Sequence, residues 1–144
     1  MFDAAVFLKT ISSFFLIMPT HQVVITLGSN HRQQYDRLQQ AVKQLQQYLQ
    51  ITAVTPPLLT SPFGCSSPDF LNQMILGTTD DDYPLLLAKT KLTEQMLGRH
   101  QYIDTPTLID IDIDIMLFDG KRYHEKDWER DYIQKLYQDL MQQQ

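Results

Sequence analysis

The chain has 144 residues, 43% of them hydrophobic and 20% charged, which fits one globular domain with its own core and excludes a disordered or fibrous chain. A formal net charge of −5 supplies no basic footprint, so free nucleic acid is not an expected partner. The single cysteine, Cys65, cannot close an intramolecular disulfide, and no Cys/His spacing suggests zinc, so a reducing cytoplasm is the expected compartment.

Residues Ala4 to Met18 are apolar, but the run is shorter than the roughly 20 residues a spanning helix needs, and Lys9 interrupts it. A signal peptide fits no better: the only charge ahead of the apolar run is Asp3, and no A-x-A-like site follows. No membrane partner is expected. Met18-Pro19-Thr20 leads straight into a strand, as a true start does, so residues 1–17 read as an over-called extension or as an amphipathic appendage or membrane contact. Residues 18–144 form the expected single domain.

Gln22 to Leu27 is short and β-branched and predicts a buried strand ending at the turn cluster Gly28-Ser29-Asn30. Asn30 is placed to cap a helix over His31 to Leu49, where Tyr35, Leu38, Val42, Leu45 and Leu49 recur at helical spacing. Ile51 to Leu59 predicts a second strand, with Pro56-Pro57 marking an edge or break. A loop from Thr60 to Pro68 leads to a strand through Phe70 to Thr79 and a polar turn, Asp80-Asp81-Asp82. Pro84 opens a helix carrying Leu86, Leu87, Thr90, Glu94 and Leu97, and Gly98 stops it. His100 to Pro106 predicts a loop, Leu108 to Phe118 the clearest strand, Asp119-Gly120 a turn, and Asp127 to Gln142 a last helix. The order β-α-β-β-α-β plus a terminal helix predicts an α+β, ferredoxin-like fold: an antiparallel sheet with helices on one face and an extra C-terminal helix. Fold alone assigns no chemistry.

The chemistry concentrates in Asp110-Ile111-Asp112-Ile113-Asp114-Ile115. Strand alternation would place Ile111, Ile113, Ile115 and Leu117 on one face and the three aspartates on the other, with neighbouring carboxylates about 7 Å apart. Asp forms strands poorly, and adjacent carboxylates repel. One account is an exposed edge strand whose charges discourage aggregation. The other is Mg²⁺ held by two carboxylates together with substrate phosphates, since Mg²⁺ takes few protein ligands and keeps several waters.

Asp112-Ile113-Asp114-Ile115-Met116-Leu117-Phe118, with Glu94…Gly98-Arg99 upstream and Gly28-Ser29-Asn30 after the first strand, resembles the 6-hydroxymethyl-7,8-dihydropterin pyrophosphokinase family of folate synthesis. Thr60-Ser61-Pro62-Phe63-Gly64…Pro68-Asp69-Phe70-Leu71-Asn72 is similar to that family's pterin-binding segment, and the resemblance spans roughly residues 22–140. It implies that Asp112 and Asp114 ligate Mg²⁺ bridging the co-substrate ATP and the pterin hydroxymethyl group, positioning and charge neutralisation carrying the rate. It further implies that Phe70 stacks on the pterin and Asn72 bonds its edge, with Thr60, Ser61 and Phe63 around them. Glu94 and Arg99 fall to the ATP side. His124, Arg130 and Tyr132 match a His-Arg-aromatic spacing, His124 and Arg130 toward ATP phosphates and Tyr132 closing the pterin slot opposite Phe70. Trp128, Tyr132, Ile133, Leu136 and Leu140 also have the spacing of a helix that packs on the sheet.

The chain departs from the family pattern: the link from Asp114 to His124 is markedly shorter than in full-length members. Ser61 stands where proline is common, and His100 to Ile111 contains no Arg, Lys or Trp, where the family carries arginines that close over the triphosphate. Three readings follow: a pterin pyrophosphokinase, a pterin- or nucleotide-binding pseudoenzyme, and an interaction module built on the sheet. Association with another protein is left open.

Overall fold

The β-branched run after Pro19 forms β1, His21–Ser29, and the alternation of its side chains divides the whole molecule. Val23, Ile25 and Leu27 point to one face of the sheet, and Val24 to the other. The computed structural model describes residues 3–17, 19–62, 68–98 and 108–144. The remaining elements are α1 (Ala4–Ile17), α2 (Gln34–Leu45), β2 (Gln50–Val54), β3 (Leu58–Thr60), β4 (Phe70–Thr79), α3 (Tyr83–Met96), β5 (Asp112–Phe118), β6 (Lys121–Arg122) and α4 (Asp131–Gln142), the last preceded by a 3-10 turn over Asp127–Glu129.

The antiparallel sheet runs β2-β4-β1-β5-β6, with β3 also paired to β4. The fold is α+β and ferredoxin-like, as expected. Helices α2 and α3 cover one face through Leu38, Ala41, Leu45 and Leu86 against Val23, Ile25, Ile75, Ile113 and Ile115. Helix α4 and the 3-10 turn cover the opposite face through Trp128, Ile133, Leu136 and Leu140 against Val24, Met74, Leu76 and Met116. The terminal helix is therefore a third layer.

Several local expectations change. β1 runs through Gly28 and Ser29, which pair with Asn72 and Leu71 instead of forming a turn. Asn30 caps no helix: Gln33 holds the N-cap position of α2 without a side-chain bond, and buried Asn30 accepts from the Ile109 backbone N–H at 2.5 Å. The predicted helix over His31 to Leu49 shortens to α2, and Tyr35 is 55% exposed. The strand expected over Ile51 to Leu59 splits, because Pro56 and Pro57 lack the N–H a ladder needs. Thr55 bridges the gap, its Oγ1 accepting from Met74 N at 2.9 Å.

Helix α3 starts as read. Asp82 accepts from Leu85 N at 3.0 Å as the N-cap, and Gly98 follows the helix with φ of 91°. At the other end of the sheet, Asp119-Gly120 joins β5 to β6 with φ of 48° and 81°, the left-handed pair of a type I′ hairpin. Asp119 also accepts from His21 Nδ1 at 2.6 Å and from Gln22 N at 2.9 Å. The His21 bond foremost holds its carboxyl below the usual carboxylate range. A lowered folded pKa contributes stability above the unfolded value and loses it as pH falls through the folded value. Asp119→Asn is therefore expected to be less stable than the parent at pH 7, with the gap closing below about pH 4. Urea melts at both pH values check this; an equal gap in acid would rule out the linkage.

Candidate functional site

Two transverse rows across the sheet build the site. Asn72 of β4, Gly28 of β1 and Asp112 of β5 are register partners, as are Met74, Thr26 and Asp114 one step along. Partners in antiparallel strands direct their side chains to the same face, here the face that α4 covers. At the end of that face lies a cavity of about 310 Å³ whose lining includes Gly28, Asn72, Asp112 and Asp114.

Glycine at position 28 matters because of what flanks it. A Cβ there would stand 3.0 Å from Asn72 Oδ1 and 3.8 Å from Phe70 Cδ1, so the missing side chain leaves the floor of the cavity open between Asn72 and Asp112. Gly28→Ala is expected to narrow this floor, since Asn72 must shift while the strand tolerates the methyl. A crystal structure of the variant checks this, and an unmoved Asn72 would remove Gly28 from the floor of the cavity.

Asn72 is 7% exposed and its side-chain N–H donates to Thr60 Oγ1 at 2.8 Å. That commitment turns Oδ1 toward Gly28 as an acceptor. Thr60, at the end of β3, thus orients Asn72, and Thr60, Ser61, Pro62 and Phe70 all line the cavity. From the opposite side, α4 and the turn before it contribute Asp127, Arg130, Tyr132 and Leu136. Arg130 Nε lies 3.2 Å from Asp127 Oδ1. Burial pushes the Tyr132 hydroxyl above the usual tyrosine range, with Arg130 opposing, so it stays protonated and able to donate.

The three aspartates do not share a face. Strand β5 begins only at Asp112, so alternation does not reach Asp110, which is 1% exposed and lies 3.6 Å from His31 Nε2 and 3.9 Å from Arg37 Nε. Nor does Leu117 side with Ile115. A bulge in β5 opposite Val24 and Ile25 interrupts alternation, so Met116 and Leu117 both pack toward α4.

Of the residues expected on the ATP side, Glu94 is 1% exposed and accepts from Ile113 N at 2.7 Å and from Lys91 Nζ at 3.1 Å. It anchors α3 to β5 between the two site carboxylates and is not among the residues lining the cavity. His124 Nε2 lies 3.8 Å from Asp114 Oδ1. Arg99, Phe63 and the loop expected over His100 to Pro106 lie outside the described residues. Thr26 and Lys91 stand at the site unexpected from the sequence, while Asp127 and Leu136, expected only as parts of the last helix, also line the cavity. Only Lys91 carried a legible signal, its i,i+3 spacing to Glu94.

Asp112 and Asp114 are half-buried on the cavity wall, and among the described residues no three His, Cys, Asp or Glu side chains converge as a metal cage. Two hard carboxylates that leave most ligand positions to water or phosphate fit Mg²⁺ rather than zinc or calcium. Fold and cleft together define a ferredoxin-like α+β protein with a two-carboxylate cleft over the end of its sheet. The model of the family described as 7,8-dihydro-6-hydroxymethylpterin-pyrophosphokinase (HPPK) matches residues 24–142, and the chain belongs to that family. No curated protein matches the chain. Among solved structures it is similar to a crystal structure of Plasmodium falciparum HPPK-DHPS, wild type with SDX-DHP, at 16% identity and a TM-score of 0.55. That match covers 70% of this chain and 30% of the solved chain, so this chain spans under a third of its length.

Proposed function

We propose that the domain over residues 18–144 transfers pyrophosphate from ATP to the hydroxymethyl oxygen of 6-hydroxymethyl-7,8-dihydropterin, releasing AMP, as a step of folate synthesis in the cytoplasm. The observation that carries this reading is the row Asn72–Gly28–Asp112, which sets a polar acceptor and a metal-binding carboxylate on either side of an open floor.

In this reading Asn72 Oδ1 accepts from the amino edge of the pterin, while Phe70 and Tyr132 offer aromatic faces from β4 and α4. That placement brings the exocyclic hydroxymethyl group toward Asp112 and Asp114. Mg²⁺, when bound by these two carboxylates, neutralises phosphate charge and polarises the phosphoryl oxygens. The remaining work is positioning: the hydroxymethyl oxygen, its proton passing to solvent, bonds Pβ as the bond from Pβ to the AMP oxygen breaks, and an in-line approach requires both substrates to be held. His124 and Arg130 stand on the phosphate side, and Tyr132 keeps a proton to donate. Among the described residues no helix is long and apolar enough to cross a membrane.

AMP release from ATP and the dihydropterin, followed with Mg²⁺ by a coupled assay, tests the transferase. No AMP at high ATP overturns it. The absence of Arg, Lys and Trp between His100 and Ile111 favours one further reading, a pseudoenzyme that retains pterin affinity. Calorimetric pterin binding without AMP release selects that second reading.

A further inference from the structure

Lys91, on α3, is held by Glu94 and Ile113, which do not line the cavity, and by Asp114, which does. Its ammonium has three N–H donors, and three acceptors surround it. Glu94 Oε1 lies at 3.1 Å, the backbone carbonyl of Ile113 at 3.1 Å and Asp114 Oδ1 at 3.5 Å. Glu94 is itself fixed, because its buried carboxylate also takes the Ile113 N–H at 2.7 Å. Helix α3 therefore grips the free edge of β5 at both backbone groups of Ile113, and the same grip places a positive charge against Asp114.

We infer that Lys91 is a resident counter-cation for Asp114, a positioning residue that holds this carboxylate in place and competes with a divalent ion for it. The inference rests on the reading of Asp112 and Asp114 as the metal-binding pair. A pinned ammonium beside a ligand oxygen opposes the approach of a second cation, and its own anchors keep it from drifting away. His124 Nε2 shares the same oxygen at the longer distance of 3.8 Å, so it is left unchanged in every variant. A purely structural Lys91, present only to balance buried Glu94, would affect melting temperature and leave metal affinity alone.

Mn²⁺ titration of the nucleotide-free protein, with the free ion read by electron paramagnetic resonance, separates the two. Lys91→Met is expected to bind Mn²⁺ about tenfold more tightly than the parent, and Lys91→Arg to stay within about twofold of it. In an Asp114→Asn background the gain should vanish. If Lys91→Met does not fold, Lys91→Met/Glu94→Gln removes the buried charge as well and carries the same expectation. Unchanged or weaker Mn²⁺ affinity in a folded variant overturns the inference, as does a gain that persists without Asp114. If the parent shows no Asp114-dependent Mn²⁺ binding, the metal-pair reading falls and takes the inference with it.

Discussion

Alanine at Asp112 or at Asp114 is expected to lower AMP release by at least about 10²–10³-fold, the scale of losing one preorganised electrostatic contact in a transferring site. The fold should survive either change. Neither carboxylate belongs to the two hydrophobic clusters, and both are half-buried at the cavity wall. Asp114 has Lys91 at 3.5 Å and His124 at 3.8 Å, pairs exposed enough to contribute only about 0–1 kcal/mol. Removing one of two like charges also relieves repulsion between them. Thermal melts should therefore fall within a few degrees of the parent while Mn²⁺ affinity and turnover collapse together. Turnover at parental rate in both variants would end the two-carboxylate account.

Glu94→Ala should behave in the opposite sense, failing first as a folded protein. The substitution strips a buried acceptor from Ile113 N and leaves that donor unsatisfied, while Lys91 loses its closest carboxylate. Lost charge-assisted hydrogen bonds and an orphaned buried N–H together cost about 2–4 kcal/mol. The damage lands on the strand segment between Asp112 and Asp114, so activity should fall as well. Glu94→Gln keeps an oxygen for Ile113 N and is expected to recover most of the stability. A Glu94→Ala protein with parental stability but poor ATP binding would return Glu94 to the nucleotide side.

Periodicity was sufficient wherever one residue's face decides burial. The main order of strands and helices, the opening of α3 at Pro84 and its stop at Gly98 were all legible, because each depends on local backbone chemistry. Three features were not. The bulge that turns Leu117 toward α4 depends on how β5 meets β1, which no local pattern encodes. Asp110 leaves the aspartate row because Asn30, distant in sequence, fixes the Ile109 backbone before the strand begins. That Glu94 is buried under a strand edge, accepting from Ile113 N, is likewise a tertiary fact. The pair Asp112 and Asp114 was legible as a candidate metal site from charge on a strand, whereas the gap above Gly28 required the register of three strands.

Helix α4 is at once core and wall. Leu136 is 1% exposed, packs with Trp128, Ile133 and Leu140, and also lines the cavity, with Tyr132 one turn earlier. Local opening of this helix and loss of the binding wall are consequently one event. Any occupant of the cleft must draw down the opened population, by about 2.7 kcal/mol when present at about 100 times its dissociation constant. Amide protons of α4 would then exchange more slowly in the liganded protein, while those of α2, on the far side of the sheet, keep their own rate. Hydrogen exchange along one helix thus becomes a gauge of occupancy that needs no turnover.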